Sequence, residues 1–403
     1  MIKRILCLLI PAFIALASCD YIKKPETIQE RDTGLRGVWV ASVINLDYPS
    51  RTGLNSARLR EEAEYLLDKA REIGFNAVFL QVRPCADALY PSLLFPWSEY
   101  LSGTQGKAPD GDFDPLMFWT EQAHKRGMEL HAWINPFRIT RGGTKDKPNA
   151  DINTLAENHP ARLNPDWSEE YKHNLYFNPG IPGVIDYIVG GVEELIINYD
   201  IDGIHFDDYF YPGIEFDDAE EFEKYGESFE SVGDWRRENI NTLIKKTRDL
   251  IKTVKPEAEF GVSPFGIWQN NDSTGLGSDT KGLESYSVYY CDSRKWVRNE
   301  LVDYIAPQIY WNIGHESADY AKLLAWWAGV ARGTGVKLYT GHAGYRVLEA
   351  EPGDVWYGAD EIIRQLNLNK QYEEVKGSIH FRLGTYLRTD ALVEALKKEY
   401  SQS

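Results

Sequence analysis

Two consecutive carboxylates end a short apolar segment, Asp202-Gly-Ile-His-Phe-Asp207-Asp208-Tyr-Phe-Tyr-Pro212, and aromatic residues follow them. Like charges this close repel each other, so one carboxyl of such a pair is pushed toward its protonated form. A proton donor beside an ionised carboxylate suits general acid and base chemistry. The pair therefore indicates an enzyme that transfers protons at a polar bond, as glycosidases do.

Short apolar runs alternate with segments of helical period along the chain, and the alternation repeats eight times. The predicted strands are Leu35 to Ala41, Ala77 to Val82, Glu129 to Ile134, Gly203 to Phe206, Phe260 to Ser263, Tyr304 to Ile309, Lys337 to Thr340 and Ser378 to Phe381. The predicted helices are Ser56 to Ile73, Pro115 to Arg126, Gly183 to Tyr199, Trp235 to Val254, Arg294 to Glu300, Ala318 to Ala331, Asp360 to Glu374 and Asp390 to Tyr400. Eight strand-helix units predict an α/β fold, a single-domain (β/α)8 TIM barrel over residues 35–400.

Long segments follow the second, third, fourth and fifth predicted strands, and in a barrel these βα loops rise from the same face. Side chains alternate along a strand, so every second residue points toward the barrel axis. This parity directs a polar and aromatic set inward, with Asp208 at the mouth. The set comprises Trp39, Phe79, Gln81, Arg83, His131, Trp133, Asn135, His205, Asp207, Ser263, Gln308, Tyr310 and Arg382.

The inward residues have both structural and functional interpretations. Gln81 and Gln308 would either satisfy hydrogen bonds of the barrel or contact substrate, and Trp39 would either pack or stack on a sugar. Arg83 and Arg382 are harder to explain structurally, because a buried guanidinium needs an anionic partner. That partner would be Asp207 or a charged substrate.

The N-terminus predicts export and a lipid anchor. A basic start and a short apolar run over residues 1–18 are typical of a secretory signal, and Leu16-Ala-Ser-Cys19 resembles the lipobox of bacterial lipoproteins. Cys19 would then carry lipid, and the polar residues 19–34 would tether the domain to a membrane. The alternative is an ordinary secretory signal without lipidation. The sequence leaves open which membrane is used.

Amino-acid composition indicates which classes of ligand and partner the protein could bind. The net charge of −17, from 61 acidic and 44 basic residues, argues against a nucleic-acid partner, which needs a basic surface. The 12 Trp and 24 Tyr suit sugar faces, although many would fill the core. Four histidines on predicted strands form no His-x-His pair. The acidic run Asp110-Gly-Asp112-Phe-Asp114 resembles the start of a calcium loop, but Pro115 stands where the glycine turn belongs and the distal glutamate is missing. No cofactor and no metal are predicted, and the oligomeric state stays open.

Several ordered motifs resemble the glycosyl hydrolase-like 10 family of exported bacterial barrel proteins. The resemblance covers nearly the whole chain after the tether. It rests on Arg36-Gly-Val-Trp39-Val-Ala41, Phe75-Asn-Ala-Val-Phe-Leu-Gln-Val-Arg83-Pro, Pro96-Trp-Ser-Glu-Tyr-Leu101, His124-Lys-Arg-Gly-Met-Glu-Leu-His131-Ala-Trp-Ile-Asn135-Pro, the segment around Asp207, Ser263-Pro-Phe-Gly-Ile-Trp268 and Tyr304-Ile-Ala-Pro-Gln308-Ile-Tyr-Trp311. The resemblance implies hydrolysis of bacterial cell-wall glycan, favouring peptidoglycan strands stripped of their peptides.

Only the fourth predicted strand ends in acids, so a second catalytic carboxylate would have to come from a loop, from Glu99, Glu284 or Glu316. Substrate assistance is the alternative, because the 2-acetamido group of a peptidoglycan sugar can attack its own anomeric carbon. The pair resembles neighbouring acids in substrate-assisted barrels. It departs from the chitinase pattern Asp-Gly-x-Asp-x-Asp-x-Glu, since His205 and Tyr209 replace an Asp and the Glu.

We expect Asp207 to stay ionised and hold the acetamido group, and Asp208 to act as general acid, although these roles could be exchanged. The expected sugar-stacking residues are Trp39, Trp133, Tyr209, Tyr310 and Trp311, and the expected polar contacts are Gln81, Arg83, Asn135, Gln308 and Arg382. The competing hypotheses are a two-carboxylate glycosidase acting on another polysaccharide, a non-catalytic glycan-binding lipoprotein and a metal-dependent hydrolase.

Overall fold

A computed structural model describes residues 34–401, and these form one compact unit. The predicted signal, Cys19 and nearly all of the tether lie outside the described residues, so those assignments remain predictions. None of the described helices is both long enough and apolar enough to cross a bilayer.

Eight of the ten described strands close into a parallel barrel, in the order β1, β2, β3, β6, β7, β8, β9 and β10. The remaining two, β4 and β5, pair antiparallel as a hairpin within the connection from β3 to β6. The strands are β1 (Leu35–Val40), β2 (Ala77–Arg83), β3 (Glu129–Ile134), β4 (Ser168–Tyr171), β5 (Asn174–Phe177), β6 (Gly203–Phe206), β7 (Glu259–Val262), β8 (Tyr304–Ile305), β9 (Lys337–Ala343) and β10 (Val375–Phe381). The predicted TIM barrel is confirmed.

Helices surround the barrel and fill its loops. They are α1 (Ser56–Ile73), α2 (Glu99–Ser102), α3 (Pro115–Lys125), α4 (Pro160–Leu163), α5 (Pro182–Asn198), α6 (Ala219–Tyr225), α7 (Val232–Val254), α8 (Ser285–Val288), α9 (Ser293–Arg298), α10 (Tyr320–Ala331), α11 (Gly344–Glu349), α12 (Asp360–Asn369), α13 (Leu383–Tyr386) and α14 (Asp390–Ser401). Three 3-10 turns cover Val43–Asn45, Ile152–Thr154 and Pro165–Trp167.

Capping residues explain where the first long helix begins and ends. Asn55 caps the start of α1 by accepting from Arg58 N–H, and Gly74 ends it in the left-handed conformation.

The core has two layers, one on each side of the barrel wall. The outer layer packs aliphatic residues of the strands against the helices. The inner layer fills the barrel with Trp39, Ala41, Ala77, Phe79, Trp133, Tyr304, Ala306, Tyr339 and Ile379. Because these largely aromatic side chains fill the interior, the barrel is a packed core, and a site can form only at its mouth.

The structure differs from the predicted elements at two places that matter for the site. Strand β8 ends at Ile305 instead of Ile309, because Pro307 has no N–H to donate to a ladder, and Gln308 forms only isolated bridges to Phe265 and Gly341. The hairpin of β4 and β5 lies in a segment for which the sequence predicted only a long loop.

Candidate active site

A cavity of about 250 Å³ opens at the carboxyl ends of the barrel strands. Residues of β1, β2, β3, β10 and the loops after β3, β6, β7, β8 and β9 contribute to it, as expected for this face of a barrel. Its lining residues are Trp39, Ala41, Val43, Leu46, Gln81, Trp133, Arg138, Arg141, Asp207, Asp208, Tyr209, Ser263, Gln308, Tyr310, Tyr345 and Phe381. The predicted acid pair and most predicted contact residues thus meet at one site.

Asp207 follows β6 directly and is 4% exposed. One of its oxygens, Oδ2, accepts from Trp133 Nε1 at 3.2 Å and from Asn135 Nδ2 at 3.0 Å. The other, Oδ1, accepts from Tyr209 N–H at 3.2 Å. Three N–H donors therefore hold this carboxylate in one orientation and favour its ionised form.

Asp208 is partly exposed at the cavity surface, and the nearby Gln308 side chain, whose Nε2 donates to the Ser263 carbonyl at 3.0 Å, lowers the pKa of Asp208. Burial raises the pKa of both carboxyls. For Asp207, burial is the largest cause and the negative charge of Asp208 the second, and together they raise its pKa to about 7. The pair therefore retains one proton close to neutral pH, which is what a general acid needs.

Arg138 supplies the positive charge near the pair, and sequence reasoning missed it. Its Nε donates to the Pro84 carbonyl at 3.1 Å, and its guanidinium lies 5.1 Å from the centre of the Tyr209 ring. Its backbone N–H donates to Asn135 Oδ1, so the residue that orients Asp207 also fixes Arg138. Arg138 lowers the pKa values of Asp207 and Asp208, opposing the effect of burial.

Gln81 presents a fixed amide to the cavity. Its Oε1 accepts from the backbone N–H groups of Ser42 at 3.1 Å and Val43 at 3.0 Å. Its Nε2 is buried and has no hydrogen-bond partner among the described residues. The oxygen of Gln81 therefore satisfies backbone donors of the barrel, as the structural interpretation predicted, and substrate contact through the amide nitrogen stays a prediction.

Beneath the acids, a hydrogen-bonded floor joins Trp39, His205, Ser263 and Tyr304. Trp39 Nε1 donates to His205 Nε2 at 3.1 Å, Ser263 Oγ lies 2.9 Å from that nitrogen, and Tyr304 Oη lies 3.0 Å from His205 Nδ1. Burial lowers the pKa of His205 well below its usual range, so the imidazole is neutral. Trp39 is 2% exposed and belongs to this floor as a packed residue.

Aromatic rings form one wall of the cavity. Phe381 lies 6.1 Å from Tyr310 and 6.3 Å from Tyr345, measured between ring centres. Tyr209 is 46% exposed at the mouth, whereas Trp133 is nearly buried beside Asp207. Trp311, which was predicted to stack on sugar, does not line the cavity and instead packs edge-on against Phe265 at 5.6 Å.

Arg83 does not point toward the axis, so the prediction of its orientation was wrong. A β-bulge shifts the pairing of β2 with β3 between Gln81 and Arg83, which reverses the alternation of side chains. The guanidinium is buried outside the barrel, 3.5 Å from the Phe95 ring centre. A Cβ on Gly191 of α5 would lie 2.5 Å from Arg83 Nη1, so that glycine makes room for it.

The inward orientation predicted for Arg382 was also wrong. Phe381 is the residue of β10 that faces the cavity, and Arg382 forms an ion pair with Asp47. Arg382 Nη1 also donates to the Leu46 carbonyl at 2.8 Å, and Gly384 N–H donates to Asp47 at 2.9 Å. Its anionic partner is thus a residue of the loop after β1, which sequence alternation does not reveal.

The three glutamates predicted as a second catalytic carboxylate lie away from the cavity lining. Glu99 and Glu316 are exposed, and Glu284 accepts from Asn270 N–H at 2.8 Å. Among the described residues that line the cavity, the carboxylates are Asp207 and Asp208.

Three further lining residues with charged or aromatic side chains were missed, namely Arg141, Tyr345 and Phe381. Two of them stand shortly after a strand, because Arg141 follows the end of β3 and Tyr345 that of β9. Their position just beyond a strand end was an available signal. Phe381 shares the parity of Ile379, which points into the barrel, so alternation along β10 would have found it.

Comparisons with known proteins agree with this architecture. The sequence profile described as Glycosyl hydrolase-like 10 matches residues 34–358. The glycosyl hydrolase YngK of Bacillus subtilis is 47% identical over 360 residues, which are 88% of this chain and 69% of YngK. The glycosyl hydrolase DigH of Escherichia coli K12 is 41% identical over 379 residues, which are 89% of this chain and 85% of DigH.

Solved structures of low identity share the fold. The glycoside hydrolase domain of PgaB from Bordetella bronchiseptica superposes with a TM-score of 0.57 at 13% identity, covering 90% of this chain and 98% of that domain. An α-L-fucosidase from Paenibacillus thiaminolyticus superposes with a TM-score of 0.54 at 14% identity, covering 92% of this chain and 49% of the other. The family profile and the two close relatives show that this chain is a glycosidase and belongs to the glycosyl hydrolase-like 10 family.

Proposed function

We propose that the protein hydrolyses glycosidic bonds in N-acetylated cell-wall glycan, namely peptidoglycan strands that lack peptides. One observation carries the proposal. Asp207 and Asp208 are adjacent, share a raised pKa, and are the carboxylates among the described residues that line the cavity. An enzyme with one acid pair needs a nucleophile from elsewhere, and an acetamido group on the substrate supplies one.

The two-carboxylate alternative has less support. Such enzymes place their carboxyl groups across the scissile bond, about 5 to 5.5 Å apart for retention or roughly 6.5 to 9.5 Å apart for inversion. Asp207 and Asp208 leave the same strand end, so they approach the bond from one side. Glu99, Glu284 and Glu316 lie away from the cavity and do not face the pair.

The two acids have different roles in this proposal. Asp207 accepts from three N–H groups, which favours its negative charge, while Asp208 is partly exposed and lines the open cavity. Asp208 is therefore the general acid that protonates the glycosidic oxygen. Asp207 holds the acetamido nitrogen and compensates the positive charge that develops on it.

The reaction needs only the substrate, one water molecule and the two aspartates Asp207 and Asp208. The acetamido carbonyl oxygen forms a bond to the anomeric carbon as the bond to the glycosidic oxygen breaks, and that oxygen takes the proton of Asp208. A water molecule then attacks the anomeric carbon and reopens the cyclic intermediate. Asp208 accepts a proton from this water, which returns the pair to its starting state.

The location of the enzyme is a further part of the proposal. A cell-wall substrate lies outside the cytoplasm, and the sequence of residues 1–34 favours export with Cys19 lipidated. The enzyme would then act on the glycan while its barrel domain is tethered to a membrane. Labelling with a palmitate analogue, compared between the wild type and Cys19→Ser, tests this anchor.

Mass spectrometry of the products tests the reaction itself. Peptide-free glycan would be digested as isolated and after chemical removal of its acetyl groups. We expect fragments of defined mass only from the acetylated glycan, because substrate assistance requires the acetamido carbonyl. Equal cleavage of the two glycans would favour a loop carboxylate as nucleophile, and cleavage of neither would contradict the proposed substrate.

A further inference from the structure

Two arginines line the cavity, and their surroundings differ. Arg138 is 5% exposed, donates to the Pro84 carbonyl, packs over Tyr209 and acts on the acid pair. Its charge is thus balanced within the protein. Arg141 is exposed at the cavity, and its guanidinium forms no hydrogen bond or ion pair with any residue from 34 to 401.

The backbone around Arg141 is held in place, although its side chain is not. The carbonyl of Arg141 accepts from Asn149 Nδ2 at 3.0 Å, and Gly143 N–H donates to Asn174 Oδ1 at 2.8 Å. Ile139 N–H donates to the Leu175 carbonyl at 3.0 Å, so the segment is attached to the hairpin of β4 and β5. The hairpin therefore positions a guanidinium at the cavity.

We propose that Arg141 binds a carboxylate on the glycan beside the scissile bond. A guanidinium matches a carboxylate with two parallel N–H donors, and partial removal from water strengthens such a pair. The acid pair already has Arg138, so an additional cation at this cavity fits a substrate that carries negative charge. This inference rests on the function proposed above and specifies its substrate.

Two sugars supply the same chemistry. Muramic acid carries a lactyl carboxyl, which is a neutral amide while a peptide is attached and a free carboxylate after the peptide is removed. A uronic acid carries a carboxylate on its ring. We favour muramic acid, since charge recognition by Arg141 would then give a physical reason for a preference for peptide-free strands.

Binding to an inactive form tests the role of Arg141 independently of turnover. Asp208→Asn would be titrated calorimetrically, alone and combined with Arg141→Gln, with four glycans. These are peptide-free glycan, the same glycan after amidation of its carboxyls, a chitin oligosaccharide without carboxylate and a glycan that contains uronic acid. Lys145→Gln is the matched control, because it removes the same charge from the same loop but does not line the cavity.

We expect Arg141→Gln to weaken binding of peptide-free glycan about 10- to 100-fold, the usual range for a charge-assisted hydrogen bond, while leaving the amidated glycan unaffected. Arg141→Lys should restore part of the affinity, since it keeps the charge without the planar donors. Lys145→Gln should bind as the parent does.

Equal weakening for the charged and amidated glycans, or an equal effect of Lys145→Gln, would overturn the role of Arg141. Dependence on Arg141 with the uronic acid glycan alone would overturn the choice of muramic acid and keep carboxylate recognition. If the wild type cleaves none of the four glycans, the proposed hydrolysis fails, and the binding ratios still decide the role of Arg141.

Discussion

Buried polar side chains lie on both faces of the barrel wall, and they are paired in different ways. Outside the wall, beneath α12, an outer polar cluster comprises Thr340, His342, Gln365, Asn369, Ser378 and His380. His342 Nδ1 lies 2.9 Å from Gln365 Oε1, and His380 contacts the hydroxyls of Tyr386 at 2.6 Å and Tyr400 at 2.7 Å. Each ring nitrogen of both histidines has a partner.

At the cavity the pairing is incomplete. Gln81 Nε2 has no partner among the described residues, Arg141 forms no ion pair with them, and the adjacent acids share a raised pKa. Buried polar or charged groups without partners lower the stability of the fold unless a ligand supplies the missing hydrogen bond or charge. The comparison teaches that histidine and glutamine types alone do not distinguish the two regions, whereas the hydrogen-bond pairing of their polar atoms does.

We expect the largest loss of activity from substitution of Asp208. Asp208→Asn should lower kcat about 10²- to 10⁴-fold, because it removes the proton of the general acid. The release of reducing ends from peptide-free glycan measures this loss. Asp217→Asn in the same loop is the matched control, since Asp217 is exposed and does not line the cavity. Near wild-type turnover by a folded Asp208→Asn protein would contradict the assignment.

The pH dependence of the rate should have two limbs. Above about pH 7 the second carboxyl of the pair ionises, and kcat should fall toward tenfold for each further pH unit. At low pH both carboxyls are protonated, the charge of Asp207 is lost, and the rate should fall again. A rate that stays constant from pH 6 to pH 9 would show that the pair carries no catalytic proton.

The raised pKa of the acid pair also predicts how the free energy of unfolding depends on pH. The native pair keeps one proton up to about pH 7, whereas aspartates of the unfolded chain lose theirs near the usual value of 3.8, so the native state binds more protons than the unfolded state between these pH values. The contribution of the pair to native stability should therefore be greatest below about pH 4 and fall by roughly 4 kcal/mol as pH rises to neutral. Urea unfolding of the wild type and Asp207→Asn at several pH values measures the difference, and identical slopes would contradict it.

One substitution made on both faces sharpens the comparison. Gln81→Leu and Gln365→Leu should each lower the free energy of unfolding by about 1–3 kcal/mol, because each leaves buried partners unpaired. Gln81→Leu should also lower kcat/KM about tenfold, since it removes a donor from the cavity. Gln365→Leu should leave kcat/KM unchanged. Equal activity of the two variants would remove Gln81 from the site.

The smallest predicted effect belongs to the outer cluster. Tyr400→Phe removes the hydroxyl that contacts His380 Nε2 at 2.7 Å and keeps the ring. The free energy of unfolding should fall by about 1 kcal/mol, as for a single hydrogen bond, and kcat/KM should not change. Thermal unfolding and glycan turnover measure the two quantities. A loss of activity without a loss of stability would connect this cluster to catalysis.

Much of the fold followed from local pattern. Strand period, helix period and capping residues are properties of short segments, so eight units and their order were predictable, and β3 and β6 have the predicted bounds. Asp207 and Asp208 lie at the cavity because a strand end in a parallel barrel fixes its own face. Trp133, Gln81 and Gln308 followed from alternation alone.

Other features were decided by the closed barrel. Alternation assigns a face only while the register is unbroken, and the bulge before Arg83 reverses it. The partner of Arg382 is Asp47, which lies 335 residues away in sequence. Arg138 and Arg141 reach the cavity because a hairpin braces the loop that carries them. The sequence by itself determined which strand carries the acids, and tertiary structure determined which cations lie near them, because the loop contacts join residues that are distant in sequence and that only the closed barrel brings together.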